Sequence, residues 1–167
     1  MKNIAFIGMP GCGKTTVSKA VARKLKYAWH DCDSIIEERE GRSIAEIFAQ
    51  NGEDYFRERE TAVLRELLSG SGAVISTGGG AVLRNADILR SGAVVVYLYR
   101  DVRLIAQSLE ESADNTRPLL SDGVERLYQM YAERRGLYES TMHIRVENDG
   151  SVGDVMDRAV AMLEEYI

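Results

Sequence analysis

The segment that most limits the possible folds of this chain is a glycine-rich loop near its N-terminus, GMPGCGKT (Gly8–Thr15). It fits the pattern G-x-x-x-x-G-K-[ST] in full, follows the apolar run Ile4–Ile7 and precedes Lys14–Lys26, whose apolar residues have helical spacing. In this context, consecutive backbone N–H groups form a concave anion site, and the helix N-terminus adds partial positive charge. The pattern predicts a nucleotide-binding P-loop domain, in which Lys14 reaches the β- and γ-phosphates and the Thr15 hydroxyl binds Mg²⁺. The loop residues that we predict to bind the nucleotide are Gly11, Cys12, Gly13, Lys14, Thr15 and Thr16.

The composition is that of one globular domain, residues 1–167. Apolar residues make up 45% of the chain and charged residues 28%, as in ordinary soluble domains. The longest apolar run, Ala93–Leu98, is too short to cross a bilayer, and the N-terminus shows no signal-peptide pattern. The net charge of −5 argues against general nucleic-acid binding. We therefore expect a cytoplasmic protein, monomeric by default, that binds neither nucleic acid nor membrane.

Runs typical of strands alternate with runs typical of helices from end to end. We predict strands at Ile4–Ile7, Ala28–Cys32, Ala73–Ser76, Val94–Leu98 and Ile144–Val146. We predict helices at Lys14–Lys26, Ser34–Glu40, Ile44–Asn51, Glu53–Leu68, Val102–Glu111, Val124–Tyr138 and Val152–Tyr166, with a polar loop over Ser112–Gly123. This alternation predicts an α/β fold of three layers, a central parallel sheet flanked by helices. Such sheets bind ligands at the carboxyl ends of their strands.

Two carboxylates follow the second predicted strand, in the segment His30-Asp31-Cys32-Asp33-Ser34. Residues two apart in an extended segment point the same way, so Asp31 and Asp33 could both face the nucleotide. One carboxylate could hold Mg²⁺ and the other could accept a hydrogen bond from a hydroxyl that is to be phosphorylated. The alternative is that Asp33 caps the helix that follows, which is a common role for aspartate. Spacing alone leaves both interpretations open.

Three consecutive glycines, Gly78–Gly80, follow the third predicted strand in the segment ISTGGGAV. Three glycines remove all side-chain packing from one place, which permits a ligand or another backbone to approach closely. A bulge or a tight turn would also explain them. Both explanations stay open at this point.

Beyond the phosphate loop, an ordered set of short segments runs along the whole chain. The set consists of GMPGCGKTT (Gly8–Thr16), DCD (Asp31–Asp33), GRSIAEIF (Gly41–Phe48), GEDYFRERE (Gly52–Glu60), GGG (Gly78–Gly80), RPLL (Arg117–Leu120) and RRGLY (Arg134–Tyr138). The phosphate loop alone is common to many NTPases, but the full ordered set resembles the shikimate kinase family. The resemblance implies a P-loop domain like that of nucleoside monophosphate kinases. It also implies transfer of the γ-phosphoryl group of ATP to the 3-hydroxyl of shikimate.

The resemblance also implies roles for individual residues. Asp33 contacts the accepting hydroxyl, and Thr15 with Asp31 serves a magnesium site. Arg57 and Arg134 hold the carboxylate of shikimate. The glycine triplet, Gly78, Gly79 and Gly80, lies along the wall of the shikimate site. Arg117 lies in a mobile lid, residues 112–123, and reaches the phosphates, so the implied catalytic residues are Lys14, Asp33 and Arg117.

The segment Arg57-Glu58-Arg59-Glu60 has two interpretations. Arg57 and Glu60 are three apart on a predicted helix and share a face, so Glu60 could lock the rotamer of an arginine that grips a carboxylate through two parallel hydrogen bonds. The alternating charges are also typical of a solvated helix face. In the absence of the family resemblance, the solvated face would be favoured.

Three rival functions remain at this point. A gluconate kinase of the same fold would use the same arginines, because gluconate is also a carboxylated polyol. A nucleoside monophosphate kinase fits less well, because paired arginines beside Asp33 suit a small acid better than a base. A nucleotide-sensing switch or a non-catalytic binding module is a rival of another class, and the guanine signature Asn-Lys-x-Asp is missing.

The stretch before the lid, Ala106–Glu111, is acidic where family members are often basic, so the adenine contact there is expected to differ. Glu147–Ser151 is expected to offer adenine a backbone pocket.

Overall fold

The computed structural model describes residues 1–112 and 121–167. Five strands form one parallel sheet, in the order β2-β3-β1-β4-β5. The strands are β1 (Asn3–Ile7), β2 (Ala28–Asp31), β3 (Ala73–Ser76), β4 (Ala93–Tyr99) and β5 (Ile144–Glu147). The helices are α1 (Lys14–Leu25), α2 (Cys32–Glu40), α3 (Ile44–Leu68), α4 (Val82–Gly92), α5 (Val102–Ser112), α6 (Ser121–Thr141) and α7 (Val152–Leu163). The predicted α/β fold, a central parallel sheet flanked by helices, is confirmed.

The core lies around the three inner strands, and every residue of β3 is buried. Every residue of β1 is buried, and so is every residue of β4 except its last. Strands covered by helices on both faces need apolar side chains at consecutive positions, which explains the continuous apolar runs Ile4–Ile7 and Ala93–Leu98. Helix α1 packs against α7, and α4 packs against α6. No helix in the described part of the chain is long and apolar enough to span a membrane.

One helix was not predicted. Helix α4 buries Val82, Asn85 and Leu89, which lie on one face of it. A polar residue in the middle of that face weakens the apolar pattern, and Ala81 before the helix supplies no side-chain cap. Asn85 is accommodated because its amide donates to the Ala81 carbonyl oxygen at 3.0 Å.

Several predicted boundaries differ from the structure; β2, for example, ends at Asp31 rather than Cys32, and α2 begins at Cys32 rather than Ser34. The two helices predicted at Ile44–Asn51 and Glu53–Leu68 form α3, which is kinked at Gly52, where φ is 83° and ψ is 173°. Both ends of the segment predicted as a loop, residues 112–123, are helical, since Ser112 ends α5 and Ser121 begins α6. The remainder of that segment, including Arg117, lies outside the described residues.

The strand order brings three of the candidate segments together. Strand β3 lies between β1 and β2, so the loops that leave the carboxyl ends of all three strands are neighbours. Thr77, directly after β3, donates from its backbone N–H and its hydroxyl to the Phe6 carbonyl oxygen of β1, at 3.2 Å and 2.8 Å. The phosphate loop, the aspartate segment and the glycine triplet therefore meet at one edge of the sheet.

Candidate active site

The phosphate loop is folded as a closed turn around its own lysine. Gly11 and Gly13 have φ of 79° and 97°, in the left-handed region that favours glycine. The Lys14 ammonium donates to the carbonyl oxygens of Gly8 and Met9 at 2.7 Å and 2.9 Å. Its third contact is with Cys12 Sγ at 3.7 Å, and because sulfur is a weak acceptor, a phosphate oxygen could replace that contact.

Asp31 and Thr15 lie side by side next to this loop. The Thr15 hydroxyl donates to Asp31 Oδ2 at 3.2 Å, and Asp31 Oδ1 accepts from the Ser34 backbone N–H at 3.1 Å. The residue that caps α2 is therefore Asp31, and the alternative that Asp33 is the cap is wrong. Within the described residues, no group of three His, Cys, Asp or Glu side chains could hold a metal ion alone. One hydroxyl and one carboxylate fit Mg²⁺, which commonly takes its remaining ligands from water and substrate phosphate.

Asp33 lies in the first turn of α2, so the expectation that it shares an extended segment with Asp31 is wrong. Both carboxylates nevertheless line the same cavity of about 470 Å³, together with Lys14 and Thr15. Asp33 Oδ1 is buried and has no hydrogen-bond partner within the described residues. Burial raises the pKa of Asp33 to about 6, and the negative charges of Glu60 and Asp31 add to that effect. Asp33 thus offers a buried acceptor atom that no described residue uses.

A second cavity, of about 230 Å³, adjoins the first, and we call it the arginine pocket. The two cavities share Pro10, Asp33, Gly78 and Gly79. The other residues lining the arginine pocket are Ile44, Phe48, Glu53, Phe56, Arg57, Glu60, Gly80, Arg126, Met130 and Arg134. Arg126 and Met130 carried no sequence signal of their own. They share one face of α6 with Arg134 at intervals of four residues, and that spacing could have predicted them.

Arg57 and Glu60 form a buried ion pair in the wall of the arginine pocket. Arg57 is 6% exposed and Glu60 is 0% exposed, and Arg57 Nη1 lies 2.8 Å from Glu60 Oε1. The solvated-face interpretation is therefore wrong for these two residues, although Glu58 and Arg59 between them are exposed. Burial raises the pKa of Glu60, and the Arg57 guanidinium opposes that rise.

Each glycine of the triplet is packed against a different functional group. A Cβ on Gly78 would lie 2.8 Å from Asp33 Oδ1 and 3.0 Å from Glu60 Oε2. One on Gly79 would lie 2.6 Å from the Pro10 ring of the phosphate loop, and one on Gly80 would lie 2.7 Å from Arg57 Cζ.

The triplet also forms a turn, since the Ala81 N–H donates to the Gly78 carbonyl oxygen at 3.1 Å. None of the three glycines has a positive φ. Space rather than conformation therefore requires glycine at these positions, although a tight turn is present as well.

Two further residues support these loops, and the sequence analysis gave the side chain of neither a role, although both lie in segments that it named. The Asn148 amide donates to the Cys12 carbonyl oxygen at 2.8 Å, which holds the segment after β5 against the phosphate loop. The Tyr138 hydroxyl donates to the Gly79 carbonyl oxygen at 2.6 Å. Both hydrogen bonds join residues that are far apart in the chain, so no local sequence pattern predicts them.

Family, sequence and structure comparisons with known proteins all point to one family. A family model described as shikimate kinase matches residues 10–164. A shikimate kinase of Clostridium botulinum is 39% identical over 160 residues, which cover 94% of each chain. The solved structure of a shikimate kinase from Acinetobacter baumannii in complex with shikimate has a TM-score of 0.90 and 35% identity, covering 100% of this chain and 96% of that one. A gluconokinase from Sinorhizobium meliloti has a TM-score of 0.67 at 20% identity, covering 98% and 92%, and shares the fold alone.

Proposed function

The chain belongs to the shikimate kinase family, and from this premise we propose that it transfers the γ-phosphoryl group of ATP to the 3-hydroxyl of shikimate, giving shikimate 3-phosphate and ADP. The observation that carries the proposal is the position of Asp33. Its unpartnered carboxylate oxygen lies where the phosphate-loop cavity and the arginine pocket meet. A hydroxyl bound at Asp33 is therefore next to the place where a terminal phosphate would be held.

The phosphate loop binds the nucleotide in this proposal. Backbone N–H groups of the loop and the N-terminus of α1 receive the phosphates, and Lys14 places positive charge on the group to be transferred. Thr15 and Asp31 would hold Mg²⁺, directly or through water, and the ion would neutralise charge on the β- and γ-phosphates.

The arginine pocket binds the acid. The guanidinium of Arg57, held by Glu60, and that of Arg134 suit the carboxylate of shikimate, because a planar guanidinium can donate two parallel hydrogen bonds. Phe48 and Phe56, whose ring centroids lie 4.9 Å apart, give the pocket an apolar side. Such a pocket fits a small, flat ring acid.

Asp33 orients the acceptor. Phosphoryl transfer requires little covalent work from the protein, so the main contribution of Asp33 is to accept a hydrogen bond from the hydroxyl and align it for in-line attack. Its raised pKa is compatible with taking up the hydroxyl proton as the new P–O bond forms.

Acceptor specificity tests the function directly. We expect ADP release that depends on shikimate, with at most background release when gluconate, a nucleoside monophosphate or no acceptor is supplied. Each acceptor would be assayed at the same ATP and Mg²⁺ concentrations. Equal ADP formation with gluconate would replace the proposal by a gluconate kinase, and equal formation without acceptor would indicate an NTPase.

Gly80→Ala is expected to raise the KM for shikimate at least about 10-fold, because the new methyl group would overlap the Arg57 guanidinium and push it from its place. Steady-state kinetics with both substrates would measure this, and the KM for ATP should stay within about twofold. Gly136→Ala is the matched control, since a Cβ there meets nothing within 4 Å and Gly136 is an exposed residue inside α6. The control should keep wild-type kinetics and gain about 1 kcal/mol of stability. A normal shikimate KM in Gly80→Ala would contradict the assigned position of Arg57.

A further inference from the structure

The Tyr138 hydroxyl lies against the backbone of the glycine triplet and close to Arg134, whose positive charge opposes the rise in the Tyr138 pKa that burial causes. Tyr138 is 0% exposed, and its ring stacks on Tyr97 with the centroids 5.1 Å apart. Its hydroxyl donates to the Gly79 carbonyl oxygen at 2.6 Å and lies 3.8 Å from Met9 Sδ of the phosphate loop. A buried ring in a stacked pair has little freedom, so the hydroxyl holds the Gly79 carbonyl in one direction.

The direction of that carbonyl determines the direction of an N–H group. The peptide between Gly79 and Gly80 is trans, since no cis peptide occurs in the described chain. In a planar trans peptide the C=O and the N–H point to opposite sides. The Gly80 N–H therefore points away from Tyr138, and no acceptor within residues 1–112 and 121–167 takes it.

The place of Gly80 indicates which end of a bound acid this N–H would meet. Gly80 packs against the Arg57 guanidinium, whereas Gly78 packs against Asp33. Arg134 precedes Tyr138 by one turn of α6, so it lies on the same helix face, and it also lines the pocket. The Gly80 N–H thus lies at the carboxylate end of the pocket, and the hydroxyl that accepts the phosphoryl group lies at the Asp33 end.

We propose that Tyr138 is a positioning residue for acid binding: it fixes the Gly79–Gly80 peptide so that the Gly80 N–H donates to the carboxylate held between Arg57 and Arg134. The inference rests on the proposed function, because it concerns the acid end of the same pocket. Without the Tyr138 hydroxyl the peptide can rotate, and the N–H must be ordered again each time the acid binds.

Tyr138→Phe tests this with little risk to the fold, because the ring and its stacking on Tyr97 remain. We expect the KM for shikimate to rise about 5- to 20-fold, with kcat and the KM for ATP within about twofold of wild type. Tyr97→Phe is the matched control, since it removes one hydroxyl from the other ring of the same stacked pair. This control should leave both KM values unchanged.

A second measurement separates an effect on carboxylate binding from a general loss of activity. Cyclohex-1-ene-1-carboxylate carries the ring and the carboxylate of the substrate but none of its hydroxyls. Its Kd, measured by calorimetry, should rise in Tyr138→Phe by about the same factor as the shikimate KM. The inference is overturned if the shikimate KM stays within twofold, if the Kd of this probe is unchanged, or if kcat and the ATP KM change by the same factor as the shikimate KM.

The probe binds without turnover, so it also keeps the two proposals distinguishable. If wild-type protein released no ADP with shikimate, the proposed function would fail. The Kd of the probe in wild type and in Tyr138→Phe would still decide whether Tyr138 organises a carboxylate site.

Discussion

Asp33→Asn is expected to lower kcat by about 10²- to 10³-fold, while the KM for ATP stays within about twofold of wild type. An amide has almost the same shape as the carboxylate, but it carries no charge and cannot take up the proton of the attacking hydroxyl. ATP binding should survive, because Lys14 is held by the carbonyl oxygens of Gly8 and Met9 and not by Asp33. The substitution also removes a buried charge close to Glu60, so the fold should be no less stable.

Three measurements on the same protein would check this prediction: kcat, the KM for ATP, and the Kd of an ATP analogue. Asp54→Asn is the matched control, because Asp54 is an exposed carboxylate on α3 that pairs with Arg84 outside both cavities. This variant should have wild-type kinetics. Collapse of nucleotide affinity in Asp33→Asn, with kcat preserved, would show that Asp33 belongs to the nucleotide site and that its assigned role is wrong.

Arg57→Lys is expected to raise the KM for shikimate about 100-fold. A lysine keeps the positive charge, but its ammonium cannot donate two parallel hydrogen bonds to a carboxylate. It would also be drawn towards Glu60, which is 0% exposed and needs a cationic partner. Arg57→Ala is the less informative change, because it would leave Glu60 as an uncompensated buried charge and cost about 3–5 kcal/mol of stability.

Arg59→Lys is the matched control for Arg57→Lys. Arg59 lies two residues further along the same helix, is exposed, and has its guanidinium carbon 4.9 Å from the centroid of the Tyr55 ring. Its substitution should leave both KM values unchanged. Similar shikimate KM values for the two variants would mean that Arg57 does not bind the carboxylate, and the arginine pocket would lose its assigned ligand.

The fold could be predicted from the sequence because its signals are local. An apolar run, a glycine-rich loop with Lys14 and an amphipathic segment act through neighbouring residues alone, and so does the alternation of strands and helices. Helix α4 was missed for the same reason, because its buried face contains Asn85, whose cost is offset only by a hydrogen bond in the folded chain. Spacing left the role of Asp33 open, and the resemblance to a family assigned it.

What the tertiary structure decided is which groups are buried together. In the sequence, Arg57 and Glu60 look like a solvated charge run, and only the packing of α3 against the glycine triplet buries them. The surroundings of Gly78 show that two carboxylates are buried close together. A Cβ on Gly78 would lie within 3.0 Å of both Asp33 Oδ1 and Glu60 Oε2, so these oxygens are no more than about 6 Å apart. Asp33 and Glu60 are 27 positions apart in the chain, and local sequence patterns carry no information about such a contact.

The sequence by itself therefore determined the phosphate loop and the layered sheet, since both follow from the periodicity and chemistry of adjacent residues. The tertiary structure alone decided that Asp31 rather than Asp33 caps α2, that the glycine triplet is required by space, and that Tyr138 reaches the Gly79 carbonyl. The physical reason is that burial, charge and hydrogen bonding at this site depend on close contacts between segments that only the folded sheet brings together.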